Sequence, residues 1–223
     1  MLVQAIEAVV LDLGETLVDE TRQWSEWAAW LGVSTFTLFG AMGAAIADRR
    51  HHLDAFEAIR PGFDLAVERA EQESAGCPWR LGSDDLYPDA VPCLDALREL
   101  GLRIGIVGNQ PAAVESMLPE IHSRADVVGS SGSWGVEKPD PAFFERVIAE
   151  MDCPAAAIAY VGDRLDNDVL PAIAAGMAGI HLRRGPWGVI QAGWPEAAAA
   201  TASVAVLHEL VDFLGRSGES SPS

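Results

Sequence analysis

The chain has 223 residues, 49% of them hydrophobic, which is enough apolar material for a packed core and excludes a largely disordered chain. A formal net charge of −18 repels phosphate backbones and anionic lipid, so no nucleic acid and no membrane surface is expected as a partner. No apolar run approaches the ~20 residues of a membrane span, and no basic segment precedes an apolar stretch at the start of the chain, so a cytoplasmic protein is expected.

Ile6–Leu13 reads as a buried strand that ends on a carboxylate, Asp12, and then breaks into Gly14, Glu15 and Thr16. About 90 residues separate it from the next strand, far more than a crossover needs. Helical periodicity fills most of that stretch. Trp24, Trp27, Ala28 and Leu31 form one apolar stripe, stopped by Gly32, and Phe39, Met42, Gly43 and Ile46 form another. The tryptophan stripe reads as core or as the interface of a homodimer. His51 and His52 read as a solvated face.

Ala90–Leu100 is a third helical pattern, closed by Gly101, and Arg103–Val107 is the second strand, ending in Gly108 and Asn109. Val114, Met117, Leu118 and Ile121 fall at helical spacing, with Pro111 where that helix would begin, so amides near Asn109 and Gln110 are expected to face an anion. Asp126–Gly129 is a third strand. The only lysine, Lys138, follows it, so any chemistry that needs an amine must use that residue. Phe144, Val147, Ile148 and Met151 mark another helix. Ile158–Val161 is a fourth strand, running into Gly162, Asp163, Asp166 and Asp168. Gly179–Leu182 is a fifth, followed by Arg183, Arg184 and Trp187, the arginines reading as strand-end salt bridges and the tryptophan as a packed loop anchor. Asp166 and Asn167 read as a helix cap. Cys77, Cys93 and Cys153 have no metal-binding spacing and read as reduced, packed thiols.

Strands alternating with helices predict an α/β fold with a doubly wound parallel sheet. The expected organisation is a core domain of residues 1–17 and 89–215, an inserted α-helical cap domain of 18–88, and a disordered tail of 216–223. In such a sheet ligands bind beyond the carboxyl ends of the strands, where Asp12, Asn109, Lys138, Asp163 and Asp168 gather. Several carboxylates converging with one lysine are costly without a cation, and hard oxygen ligands of this number suit Mg²⁺.

With those motifs assembled, the chain resembles the haloacid dehalogenase superfamily, whose members are mostly Mg²⁺-dependent phosphatases. "LDLGETL", "IVGNQ", "EKPDP" and "VGDRLDND" match the superfamily's four motifs in order. The resemblance implies Asp12 as the nucleophile that becomes an aspartyl-phosphate and Lys138 as the stabilising cation. It implies Gly108 and Asn109 as substrate-binding positions. Asp12, the backbone carbonyl of Gly14, Asp163 and Asp168 are the implied metal ligands, and a small phosphorylated molecule is the implied substrate.

Two positions depart from the pattern. The usual acid–base aspartate two residues after the nucleophile is Gly14, and the usual Ser or Thr of the second motif is Gly108. Three outcomes stay open: another carboxyl substitutes, with Glu15 adjacent and Asp19, Glu20 or a cap residue able to reach in; the substrate's leaving group needs no proton; or the protein binds phosphorylated ligands with little turnover. A cap without lysine argues against Schiff-base phosphonate cleavage, and the acidic fourth motif argues against dehalogenation.

Overall fold

The structure, a computed structural model, describes residues 5–219. The described residues form a parallel sheet in the order β3-β2-β1-β4-β5-β6. Its strands are β1 (Ala8–Leu11), β2 (Arg103–Gly108), β3 (Val127–Ser130), β4 (Ile158–Gly162), β5 (Ala178–Leu182) and β6 (Ala202–Val204). Every neighbouring pair is parallel, with Val10 opposite both Gly105 and Tyr160. The chain winds outward from β1 through β2 to β3, then returns to the other side of β1 for β4, β5 and β6. With right-handed crossovers, that reversal puts helices on both faces and opens a crevice at the carboxyl ends of β1 and β4.

Burial explains the strand sequences. All four residues of β1 and all five of β4 are buried, as a sheet covered on both faces requires. Helices α5 (Ala90–Glu99), α8 (Pro141–Met151) and α11 (Leu207–Glu219) join the shorter α6 (Pro119–His122), α7 (Ser131–Trp134), α9 (Leu170–Ala174) and α10 (Gly185–Gln191) around it. One core cluster packs Phe143, Phe144, Val147 and Met151 of α8 against Val10 and Tyr160, with the rings of Phe144 and Tyr160 5.4 Å apart, edge to face.

The chain divides into two compact units, residues 1–19 with 86–223, and residues 20–85. The second is built from α1 (Thr21–Leu31), α2 (Thr35–Ala47), α3 (Leu53–Ile59) and α4 (Leu65–Ser74). Gly32 closes α1 in the left-handed conformation, and the side chains of Ser34 and Asp64 cap α2 and α4. Its core is aromatic: Trp27 meets Phe56 and Phe63 at ring separations of 5.6 and 5.7 Å. No single described helix is long and apolar enough to cross a membrane.

Several expectations need correction. The helix predicted through Val114–Ile121 is a 3-10 turn, Ala112–Ser116, followed by the four-residue α6, because Pro119 cannot continue a helix. The buried stripe of α2 is Leu38, Met42, Ala45 and Ile46, while Phe39 is exposed. Strand β6 was not foreseen; three residues after an alanine run carry too little pattern to read. Trp187 is buried on helix α10 rather than in a loop, and Cys77 is exposed while Cys93 is buried. His52 packs edge-on against Trp24 at 5.8 Å instead of lying wholly in solvent. Helix α11 runs to Glu219, so the tail expected from 216 starts helical; residues 220–223 lie outside the described residues.

Phe144 is fully buried. Phe144→Ala should destabilise the fold by about 3–5 kcal/mol through lost burial and the cavity left behind. A lower urea midpoint with an unchanged denaturant slope is the expected result.

Candidate active site

β1 and β4, the two strands beside the crevice, each deliver an aspartate just past their last residue, Asp12 and Asp163. Asp168 follows in the wide helical turn Leu165–Val169. Carboxylate oxygens of Asp12, Asp163 and Asp168 all lie within 4.8 Å of one another, and all three residues are buried. Lys138 Nζ, 1% exposed, donates to Asp12 Oδ1 at 2.7 Å and to Asp168 Oδ1 at 2.6 Å.

The backbone around the cluster is shaped to admit these groups. A Cβ on Gly162 would sit 2.3 Å from a carboxylate oxygen of Asp168, so only glycine lets that side chain cross the end of β4. A Cβ on Gly108 would come within 2.6 Å of Asp12 Oδ1. The missing side chain thus leaves room that the Asp12 carboxylate now occupies. Asn109 spends its side-chain amide on Lys138, accepting from the lysine N–H at 2.8 Å and donating to its carbonyl at 2.9 Å. That two-point hold sets where the lysine leaves the loop. Gln110 N–H turns back to the Gly108 carbonyl, and a single 3-10 turn follows Pro111, so the anion-facing helix start expected there is not formed.

Three ionised carboxylates beside one ammonium would leave two negative charges in excess, with Asp163 and Asp168 shielded from water. The groups respond accordingly. Burial pushes the Asp163 carboxyl well above its ordinary range, and the charges of Asp168 and Asp12 add to the push. Burial likewise raises Asp168 to about 6, against the pull of Lys138. Burial alone would lower the Lys138 ammonium; its two carboxylate partners reverse that and hold it well above the usual lysine value. Asp163 Oδ2 is buried with no hydrogen-bond partner among the described residues. An orphaned carboxylate oxygen, an all-oxygen donor set and two uncompensated charges together fit a hard divalent cation.

Of the remaining candidates, Gly14 lies on the turn after β1, its backbone bridged to Val18. Glu15 adopts a left-handed backbone (φ 49°), is buried, and accepts a 2.7 Å hydrogen bond from Tyr87 Oη. Arg184 braces the same corner: it stacks 4.1 Å over the Tyr87 ring, donates to the Thr16 carbonyl at 3.0 Å and pairs with Asp89. Asp166 does not cap a helix; it pairs with Arg164 at 2.9 Å and accepts from Gln191. Gln191 and Tyr87 were not foreseen, since a lone Gln or Tyr carries no spacing signal.

Comparison with known proteins agrees with this geometry. A family model described as haloacid dehalogenase-like hydrolase matches residues 6–176. The chain belongs to that family. A glyceraldehyde 3-phosphate phosphatase from Methanopyrus kandleri is 38% identical over 104 residues, 45% of each chain. The sesquiterpene phosphatase astK of Aspergillus oryzae is 33% identical over 127 residues, 55% of this chain and 59% of that protein. The chain thus spans about half the length of the curated relatives it matches. A solved dehalogenase, in an intermediate complex, superimposes with a TM-score of 0.68 at 18% identity, covering 96% of this chain and 99% of that one, which speaks to the fold alone.

The raised Asp168 carboxyl sets a pH dependence for the metal-free protein. Its folded value of about 6 exceeds the ~3.9 of an unfolded aspartate, so between those values the folded state holds the extra proton. Stability from this group is therefore full below the unfolded value and is lost as pH rises through the folded one. Thermal melts in EDTA should show a wild-type midpoint that declines from pH 4 to 6 relative to Asp168→Asn. His181 and His122, pushed down by burial, act in the opposite sense in both proteins and drop out of the difference. Parallel curves for the two proteins would contradict the assignment.

Proposed function

We propose that the protein is a Mg²⁺-dependent phosphatase of small phosphorylated metabolites that works through a phosphoenzyme on Asp12. The observation that carries this reading is the buried Asp12–Lys138–Asp168 contact beside the orphaned Asp163 oxygen. The two relatives described above, both named as phosphatases, support it. Asp12, Asp163, Asp168 and the carbonyl of Gly14 would hold the cation, which when bound offsets the charge of a transferring phosphoryl group.

The chain's own residues account for the rest. An Asp12 carboxylate oxygen attacks phosphorus, and the bond from phosphorus to the leaving oxygen breaks. Water then cleaves the aspartyl-phosphate to release inorganic phosphate and restore the carboxylate. Lys138 orients the Asp12 carboxylate, and Asn109 fixes the lysine's peptide so that its ammonium stays between the two carboxylates.

The leaving oxygen needs a proton, and position 14 offers none. Glu15 is held by Tyr87 through Oε2, and we read it as finishing the turn rather than supplying the missing proton. The reading that follows is an enzyme suited to leaving groups stable as anions, such as carboxylates released from acyl phosphates. Gly14 and Gly108 also favour a second reading, a protein that binds phosphorylated ligands with little turnover.

Acetyl phosphate should be hydrolysed with Mg²⁺, while glycerol phosphate is hydrolysed far more slowly. Asp12→Asn should abolish turnover and leave the circular dichroism spectrum intact. Gly14→Asp should raise the rate on glycerol phosphate by about 10²–10⁴-fold, the usual range of general acid–base help, and change acetyl phosphate little. No hydrolysis of either compound, with phosphate raising the melting temperature only in the presence of Mg²⁺, would replace the enzyme with the binding protein.

A further inference from the structure

The loop that carries Asp163 and Asp168 is held from outside by one short helix. Trp187 and Gln191 of α10 are four residues apart and so share a face. Both are buried, and both meet the residues between the two aspartates. Gln191 Oε1 accepts from Leu165 N–H at 2.6 Å, and Gln191 Nε2 donates to Asp166 Oδ1 at 2.9 Å. Arg164 forks onto Asp166 at 3.1 and 2.9 Å and lies 5.4 Å over the Trp187 ring.

The amide orientation of Gln191 is fixed by its partners. A backbone N–H can only donate, so the atom facing Leu165 must be oxygen, and the ionised Asp166 then receives the nitrogen. Asp166 itself stands apart from the carboxylate cluster, which contains Asp12, Asp163 and Asp168. Among the described residues Gln191 therefore hydrogen-bonds neither a cluster carboxylate nor Lys138, yet it pins the amide of residue 165 and the side chain of residue 166.

The same loop is closed from within. Asp168 Oδ2 accepts from Arg164 N–H at 3.0 Å, and Asp168 N–H donates to the Arg164 carbonyl at 3.0 Å. His181 Nε2 lies 3.0 Å from the Asp163 carbonyl. A shift of Leu165 or Asp166 would thus carry Arg164 and, through those bonds, the Asp168 carboxylate.

We propose that Gln191 is a positioning residue that sets the separation of the Asp163 and Asp168 carboxylates, and so the affinity of the cluster for a divalent cation. The cation half of this inference rests on the Mg²⁺ reading above; the loop half does not. Gln191→Leu keeps the side chain's bulk and removes both hydrogen bonds. Residues that support metal ligands typically change affinity by about 10–100-fold when lost, and that is the expected rise in the Mg²⁺ dissociation constant by calorimetry. Phe56→Ala, a core variant whose ring packs on Trp24, Trp27 and Phe63 within residues 20–85, should leave the Mg²⁺ constant unchanged despite lower stability. Amide exchange in EDTA reads the loop without metal: residues 165–169 should exchange faster in Gln191→Leu, with the strands protected as in wild type.

Unchanged exchange in a folded Gln191→Leu protein would overturn the inference whatever the metal does. Faster exchange with an unchanged Mg²⁺ constant would overturn its link to the cation. Absence of Mg²⁺ binding in the wild-type protein would instead sink the phosphatase reading, and the exchange result would still decide the role of Gln191.

Discussion

Three carboxyl groups sharing one ammonium, buried at the end of a parallel sheet, are the constraint on which the site depends. Asp12, Asp163 and Asp168 share one ammonium, and like charges this close resist joint ionisation in a medium that screens poorly. A fold does not assemble such a cluster for stability, since well-packed apolar side chains would serve that end better. The sheet topology explains how it can exist at all. β1 and β4 are neighbours although about 150 residues apart in the chain, and each ends where the winding reverses. Strong burial along both strands fixes their register, so the two terminal aspartates arrive side by side without any contribution from their own interactions.

Once the carboxylates are there, the surrounding residues divide the work of holding them. Glycine at 162 admits Asp168, and Asn109 ties down the peptide of Lys138. Gln191 and Arg164 stiffen the acidic loop. Each of these contacts is short range, and each acts on backbone or on a neighbour rather than on the reacting centre. Their common effect is to keep the cluster from relaxing apart, which is what its electrostatics favour. Preorganisation of this sort is stored in packing, and it lets a site meet developing charge without rearranging.

How much of this was legible in the sequence follows from the same division. The strands, and the aspartates that end them, were readable because a buried parallel strand is a continuous apolar run and a carboxylate after it is anomalous. Lys138 stood out as the only amine. What escaped notice depends on tertiary contact. Gln191 and Tyr87 matter through partners 26 and 72 residues away, and nothing in their own neighbourhoods marks them. The helix expected through Val114–Ile121 had the right period, but Pro119 overrides periodicity. On α2 the apolar residues outnumber what one face can bury, so the sequence pattern could not choose between Leu38 and Phe39. β6 lies at the sheet edge, where three residues suffice for pairing and are too few for a signal.

The two glycines at the site carry the remaining step. Gly108 and Gly14 flank Asp12 in different ways, one beside its carboxylate and one two residues along the turn. Removing a side chain at both places strips hydrogen-bond donors and acids from around the Asp12 carboxylate while leaving its charge environment whole. Charge stabilisation and proton transfer are separable contributions to a hydrolytic barrier. A site that keeps the first and lacks the second discriminates substrates by leaving-group basicity rather than by shape. Likeness of fold cannot detect that distinction, because a dehalogenase shares the architecture across nearly the whole chain. It is decided by atoms at two positions, and there this chain differs from the pattern that its other motifs follow.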